Sequence, residues 1–387
     1  MRKLFSIMFS AVLLLIVSAQ WTWAQKVKFY DLGHYPGGTW AEPWGINDAG
    51  VVVGFGDIAS GYTRPIGVPV FGPHAGQWFD LGTLGGERTD DGVMCMAIAD
   101  TGMIVGHSAI DANQTVHAFA WTPATRMVDI GTLADLGYTG YNFSVAWGTN
   151  RSGTLIVGYS GASDVHLMPD SLPVVWTPKL VSDSGHWKVK WQIQKLDTTG
   201  FDGFGYWTAM YPNDHGQILG MATGADGTKI GVLWNPVRGG KDWKIQQLPS
   251  APGYSSVWPT DINNNGEIVG DVGVQDWSAY FPALWKPVGP SGRSYSVTVL
   301  PTLAGSMQGV GDGEGINDLG DIVGGSTDVN GNYFATRWST KDVNSARLLL
   351  SVPGGWSWAT KVNNNGVATG SYGSATVWEN TVAWQLR

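Results

Sequence analysis

Apolar and polar positions alternate along this chain in short runs that are cut by turn residues. The clearest stretch reads Ala97-Ile98-Ala99, then Met103-Ile-Val-Gly106, then His117-Ala-Phe-Ala-Trp121, then Met127-Val-Asp-Ile130. Each run is four to five residues or fewer and rich in β-branched and aromatic side chains, so the pattern predicts four consecutive strands, here a to d in chain order. An Asn-x-x-Gly element separates a from b. Asn can bond its own backbone two residues on, and Gly accepts a positive φ without steric cost, so this element predicts a tight hairpin turn.

The unit recurs. Its fullest copy is Asp261-Ile-Asn-Asn-Asn-Gly-Glu-Ile-Val-Gly270, and further turn glycines stand at Gly50, Gly102, Gly153, Gly216, Gly320 and Gly366. A second glycine ends each strand b, at Gly54, Gly106, Gly158, Gly220, Gly270, Gly324 and Gly370, where a neighbouring backbone is expected to come close. Strand c is expected to end on Phe71, Trp121, Trp176, Trp234, Trp285, Trp338 and Trp378. Seven four-stranded units, 46 to 63 residues apart between turn glycines, predict an all-β fold, a seven-bladed β-propeller of four-stranded antiparallel blades. The repeats start near residues 44, 97, 146, 210, 260, 315 and 361, and residues 25–387 form one domain. Residues 27–38 resemble a strand d with its exit loop and are expected to close the ring, although Thr381 to Leu386 also reads as a strand d.

The repeat resembles the HAF-repeat family of extracellular repeat proteins, whose triplet stands here as His117-Ala118-Phe119, followed by the Asp-Ile-Gly-Thr-Leu pattern. The resemblance covers nearly all of residues 28–387 and implies secretion and repeated sheet structure. It brings no catalytic residue with it. Only one copy carries the full triplet, and Ala99 stands where the turn Asn belongs.

Composition sharpens this picture. Charged residues make up only 14%, while Gly (55) and Trp (21) are plentiful, which suits short strands and tight turns. Residues 1–24 have the form of a secretory signal peptide: Arg2 and Lys3, an apolar stretch from Leu4 to Val17, then small residues before a cut after Ala24 or Ala19. The chain is therefore expected in the periplasm or outside the cell, with no membrane span after cleavage. A formal charge of −8 argues against nucleic acid as a partner. Cys95 is the only cysteine, so no internal disulfide forms. Its apolar neighbours Met94 and Met96 predict a buried, inert thiol.

The chemistry is less legible. The d-to-a connections are aromatic, and Tyr35, Trp44, Tyr141, Trp147, Trp207, Trp258 and Trp358 are the candidate ligand-binding residues. Rings converging on a funnel would stack on sugars or hold an apolar ligand or a peptide. For any one ring, wedging between blades is the simpler reading. Two acidic groups, Glu87 with Asp90 and Asp91, and Asp312 with Glu314, could support glycoside hydrolysis if they met at a set separation. Asp261, Asn263 and Asn265 resemble the start of a calcium loop, but Val272 stands where that loop needs its bidentate Glu, and the hairpin already explains Asn263 and Gly266. The expectation is a monomeric, non-catalytic binding propeller without cofactor or metal, whose partner is a glycan. A protein–protein scaffold in the cell envelope and a carbohydrate-active hydrolase or lyase are the alternatives.

Overall fold

The computed structural model describes residues 27–386 apart from 91, 112–114, 163–169, 184–185, 238–241, 290–293, 351, 353–354 and 375–376. The signal-peptide expectation and Asp91 fall outside the described residues. The chain folds into seven four-stranded antiparallel sheets, six of them in the simple order a-b-c-d. The sole helix among the described residues is the short 3-10 turn Leu133–Leu136. No described helix is long and apolar enough to cross a membrane.

The seventh sheet joins the two ends of the chain. Strand Lys28–Gly33 pairs with Val377–Gln385, which pairs in turn with Val367–Ser374 and Gly355–Val362. The N-terminal segment thus supplies strand d of the last blade, and the segment around Thr381 to Leu386 belongs to its strand c. The aromatic at the end of that strand is Trp384, which faces Ala368 and is fully buried, and not Trp378. The first blade departs from expectation in a similar way. Strand Thr63–Pro69 ends before Phe71, Val68 sits opposite Val52 in the position of the other blades' Trp, and Phe71 is exposed with its edge against Tyr30. In both blades cross-strand register, and not residue type, decides which side chain takes the position.

At the remaining strand-c ends the expected wedge is present. Trp176, Trp234, Trp285 and Trp338 are at most 1% exposed. The indole N–H groups of Trp234, Trp285 and Trp338 donate to the carbonyls of Asp197, Pro249 and Pro301 in the connection from the preceding blade, at 2.7, 2.7 and 2.6 Å. Each ring therefore buries a large apolar surface between blades and satisfies its polar atom in the same place. The second glycine of the repeat has an equally plain cause. A Cβ at Gly54 or Gly158 would lie 1.9 or 1.8 Å from the carbonyl oxygen of Glu42 or Val145 on strand a, and the other five copies meet the same obstacle. Cys95 is fully buried, with its Sγ 2.6 Å from the Gly54 carbonyl oxygen, and burial raises its pKa to about 12.

Strand a holds a feature the repeat pattern conceals. In every blade its pairing with strand b is interrupted by one extra residue, three positions before the turn Asn or its equivalent. The bulged residues are Trp44, Met96, Trp147, Met210, Thr260, Glu314 and Thr360. A bulge re-aims a side chain and bends its strand. Here it is repeated seven times around the central axis, on the innermost strand of each blade. Thr260 and Thr360 use it to donate to the next blade, to the carbonyls of Gly313 and Pro43 at 2.5 and 2.9 Å.

Candidate functional site

The channel through the ring has two unlike ends. At the end carrying the a-to-b turns, the residue after each turn Asn forms a closed polar ring. The backbone N–H of Asp48 donates to Asp100, that of Asp214 to Asn264, that of Asn264 to Asp318, that of Asp318 to Asn364, and that of Asn364 back to Asp48, all at 2.7–2.9 Å. Asp100 N–H reaches the Arg151 carbonyl and Ser152 N–H reaches Asp214, which completes the circuit. A second, partial set of links lies beneath it. The side-chain amides of Asn213, Asn263, Asn317 and Asn363 donate to the carbonyl of the corresponding residue in the next blade. The Asn of the repeat is therefore a link between blades as well as a turn former. Arg151 spans the opening, with Nε 2.9 Å from Asp100, a second nitrogen 3.3 Å from Asp318, and a third against Asp48.

Above this ring Lys361, Asp261 and Tyr211 form a middle tier, which lines a polar space of about 120 Å³ together with the turn residues. Lys361 Nζ lies 3.2 Å from Asp261 Oδ2, 3.0 Å from the Glu314 carbonyl oxygen and 3.7 Å from the centre of the Tyr211 ring. Burial alone would lower the pKa of Lys361, but Asp261 overrides it and keeps the ammonium charged. The Asp261 carboxylate thus faces a lysine, and the Asn263 amide spans two blades, so neither is arranged as a calcium loop would need.

At the opposite end the channel widens into a cavity of about 380 Å³. Trp44, Trp147 and Trp258 come from inner strands Ala41–Ile46, Phe143–Thr149 and Ser256–Ile262, so these rings belong to strand a and not to the loops before it. Trp277 enters from the b-to-c connection of the fifth blade and Tyr280 from the start of its strand c, Tyr280–Val288. Trp44 stands edge-on to both Trp147 and Trp358, with ring centres 6.4 and 5.9 Å apart, and Trp258 stands edge-on to Trp277 at 5.9 Å. Trp277 adopts φ 57°, a left-handed backbone that costs a bulky residue energy, and its ring lies where a Cβ on Gly273 would fall. The indole N–H groups of Trp44, Trp147 and Trp277 have no acceptor among the described residues.

Three carboxyl groups share this cavity: Asp271, Asp312 and Glu314. Asp312 accepts from Tyr333 Oη, Gly325 N and Trp358 Nε1 at 2.5, 2.9 and 3.0 Å, and Asp271 accepts from Gly313 N at 2.9 Å. Burial, and then the neighbouring Asp312, raise Asp271 and Glu314 well above the ordinary carboxylate range. Lys229 completes the wall. Its Nζ sits 3.7 Å from the centre of the Trp258 ring and 5.0 Å from that of Trp277, and burial pulls its pKa down to about 8.

Of the seven aromatic residues singled out in the sequence, the cavity brings together Trp44, Trp147 and Trp258, with Trp358 packed behind Trp44. The other three lie elsewhere. Trp207 is 3% exposed and packs between blades against Phe201 and Trp234. Tyr141 rests on Tyr138 and on the core between the second and third blades. Tyr35 follows the ring-closing strand, where its carbonyl accepts from Gly38 N. The acidic groups separate likewise: Glu87 is paired with Arg64 and Asp90 with Arg88, away from the cavity, while Asp312 and Glu314 line it. His117 bridges Asp129 at 2.7 Å and the Asn142 carbonyl at 3.0 Å, as a link between blades. Lys229, Asp271, Trp277 and Tyr280 are absent from the sequence-based set. Counting three residues back from each turn Asn would have picked out the bulge positions, but no local signal marks the others.

No protein-family model and no curated protein sequence matches the chain. Solved structures do. The β-propeller domain of the trilobed protease from Pyrococcus furiosus superposes with a TM-score of 0.56 at 10% identity, over 90% of this chain and 98% of that one. Trypanosoma rangeli sialidase gives a TM-score of 0.46 at 11% identity, over 93% of this chain and 59% of that one. At such identities the likeness is one of fold. This chain is a seven-bladed β-propeller protein. The Pyrococcus domain has an open velcro topology, whereas here strand Lys28–Gly33 is hydrogen-bonded into the last blade.

Proposed function

We propose that this protein is a secreted member of the HAF-repeat family that binds a neutral carbohydrate, without transforming it, in the aromatic cavity. The observation that carries this reading is the wall of four indoles, Trp44, Trp147, Trp258 and Trp277, around a space large enough for a sugar unit. Indole faces stack on the apolar faces of pyranose rings, and buried carboxyl groups and free indole N–H donors suit hydroxyl groups. A glycan and polysaccharide screen read by calorimetry and tryptophan emission is the test. The expected result is saturable binding that Trp258→Ala weakens about tenfold without loss of fold, while Trp207→Ala lowers stability instead. If Trp44→Ala, Trp147→Ala and Trp258→Ala all unfold the protein and none weakens binding selectively, the rings are blade packing and the proposal fails.

A second reading, hydrolysis of the bound glycan, is favoured by one observation: Asp271, Asp312 and Glu314 line the same cavity, and burial shifts all three toward the protonated form, Asp271 and Glu314 most. Glycoside cleavage needs a carboxylic acid to donate the proton and a second carboxyl group as base or nucleophile. Product release in the same screen, abolished by Glu314→Gln, would replace the binding reading with this one.

A further inference from the structure

The third blade carries a hairpin unlike the others. Strands Leu172–Asp183 and His186–Lys195 form ten cross-strand pairs, against four to six for the corresponding pairs in the second, fourth and fifth blades. The added length overhangs the body of the propeller, at the end of the molecule that carries the a-to-b turns. Because side chains alternate across a strand, the hairpin has two distinct faces. One face carries Trp176 and Ile193, then Pro178 and Trp191, then Leu180 and Val189, then Ser182 and Trp187 as opposite pairs. Its inner part packs into the core between the second and third blades. Its outer part does not: Leu180, Trp187 and Val189 are 66%, 73% and 54% exposed. The other face carries Lys179 opposite Lys190, with Lys188 beside them, all exposed. Residues 172–195 hold four lysines and one aspartate, a charge of +3 on a chain whose net charge is −8.

We propose that this overhanging hairpin is a membrane-surface anchor that docks the propeller onto anionic lipid. Two features select the partner. Three apolar side chains held out in water gain free energy by entering an apolar phase, and Trp is the side chain best suited to the boundary between acyl chains and headgroups. Leu180 and Val189 gain nothing comparable from an anionic polysaccharide, which offers charge but no apolar interior. The lysines meet the negative headgroups, with their alkyl stems lying along the hairpin and their ammonium groups at the surface. On a chain of net charge −8 this hairpin is a locally positive stretch, so charge also favours the orientation that turns it toward the lipid. The aromatic cavity, at the opposite end of the ring, then points away from the lipid and stays open.

The test is sedimentation of the full protein with vesicles of phosphatidylcholine alone and of phosphatidylcholine mixed with phosphatidylglycerol, at low and high salt. The expected result is binding to the mixed vesicles at least about tenfold stronger than to the neutral ones, weakened by salt, with a blue shift in tryptophan emission that is lost in Trp187→Ser. Leu180→Ser/Trp187→Ser/Val189→Ser and Lys179→Glu/Lys188→Glu/Lys190→Glu should each reduce binding about tenfold or more while leaving the thermal unfolding midpoint unchanged. Equal binding to neutral vesicles, or none to either, overturns the proposal. So does full binding by the serine variant, which would leave an electrostatic contact with any anionic polymer. A hairpin that instead mediates pairing of two copies would show as a change of sedimentation coefficient in the serine variant with no vesicle binding by the parent, and this too overturns it.

Discussion

The two ends of the central channel are built from the same strand, a few residues apart, by opposite means. At the turn end, small polar side chains are largely used up: most of the Asn and Asp residues bond to their own turn and to the next blade, and Arg151 reaches across a smaller polar space of about 120 Å³. At the cavity end, large rings stand edge to edge around open volume, three indole donors lack acceptors among the described residues, and an ammonium faces indoles. Saturated polar groups lock the blades to one another, whereas unsatisfied groups and a larger, apolar-walled volume are what a binding site requires. The difference separates the part of the repeat that maintains the ring from the part that is free to vary with function. It also explains why the repeat is uniform at the turn and irregular three to five residues before it.

The largest effect is expected from breaking the closed end. Asn317 is buried, donates to the Asn363 carbonyl at 2.8 Å, and accepts from Leu319 N and Asp321 N at 3.1 and 2.8 Å. Asn317→Ala leaves several of these groups buried and unpaired, so it should cost about 3 kcal/mol in chemical denaturation. Binding of any cavity ligand by the folded fraction should be unchanged. A loss of binding at full stability would mean that the two ends are not independent.

Arg151→Met should cost less, about 2 kcal/mol, between the values for exposed and for buried ion pairs. It leaves Asp48, Asp100 and Asp318 facing one another without their common cation. The deficit should shrink as salt is added, because screening relieves repulsion among the remaining carboxylates. A salt-independent deficit would assign the role of Arg151 to packing.

Much of this architecture can be read directly from the amino-acid sequence, because turns and glycines act locally. The Asn-x-x-Gly hairpin and the second glycine of strand b announce themselves wherever they occur, and they are enough for seven blades. Register does not act locally. Phe71 and Trp378 have the right residue type in nearly the right place, yet Val68 and Trp384 hold the wedge positions, because pairing with strand b decides which residue faces the next blade. The site was half legible for the same reason. Trp44, Trp147 and Trp258 stood out as large rings, but Trp207 has the same composition around it and points between blades. Lys229 and Asp271 come from strands c and b, and only the packing of neighbouring blades brings them beside Asp312 and Glu314. The Asn of the turn was understood in part: its own-turn bonds follow from local chemistry, its bond to the next blade does not.

The smallest predicted effect tests the open end. Two influences act on Lys229: burial disfavours its ammonium, and the faces of Trp258 and Trp277 favour it by about 1 kcal/mol. Burial is expected to win, with a titration midpoint near 8 by NMR of the labelled lysine side chain. The sign for stability follows from this. A folded-state pKa below the unfolded value means that the charged form is penalised in the fold, fully below pH 8 and not at all above the ordinary lysine range. The wild-type protein should therefore gain stability relative to Lys229→Met as pH rises from about 8 to about 10.5. His117, held above its ordinary pKa by Asp129 against the opposing effect of burial, behaves the other way. Its contribution is present below about pH 6.5 and fades as pH rises through the folded-state value, so the two groups titrate in separate windows. A Lys229 midpoint near 10.5 would mean that the indole faces hold the cation fully, and the cavity would then present a fixed positive charge that suits an anionic ligand better than a neutral sugar.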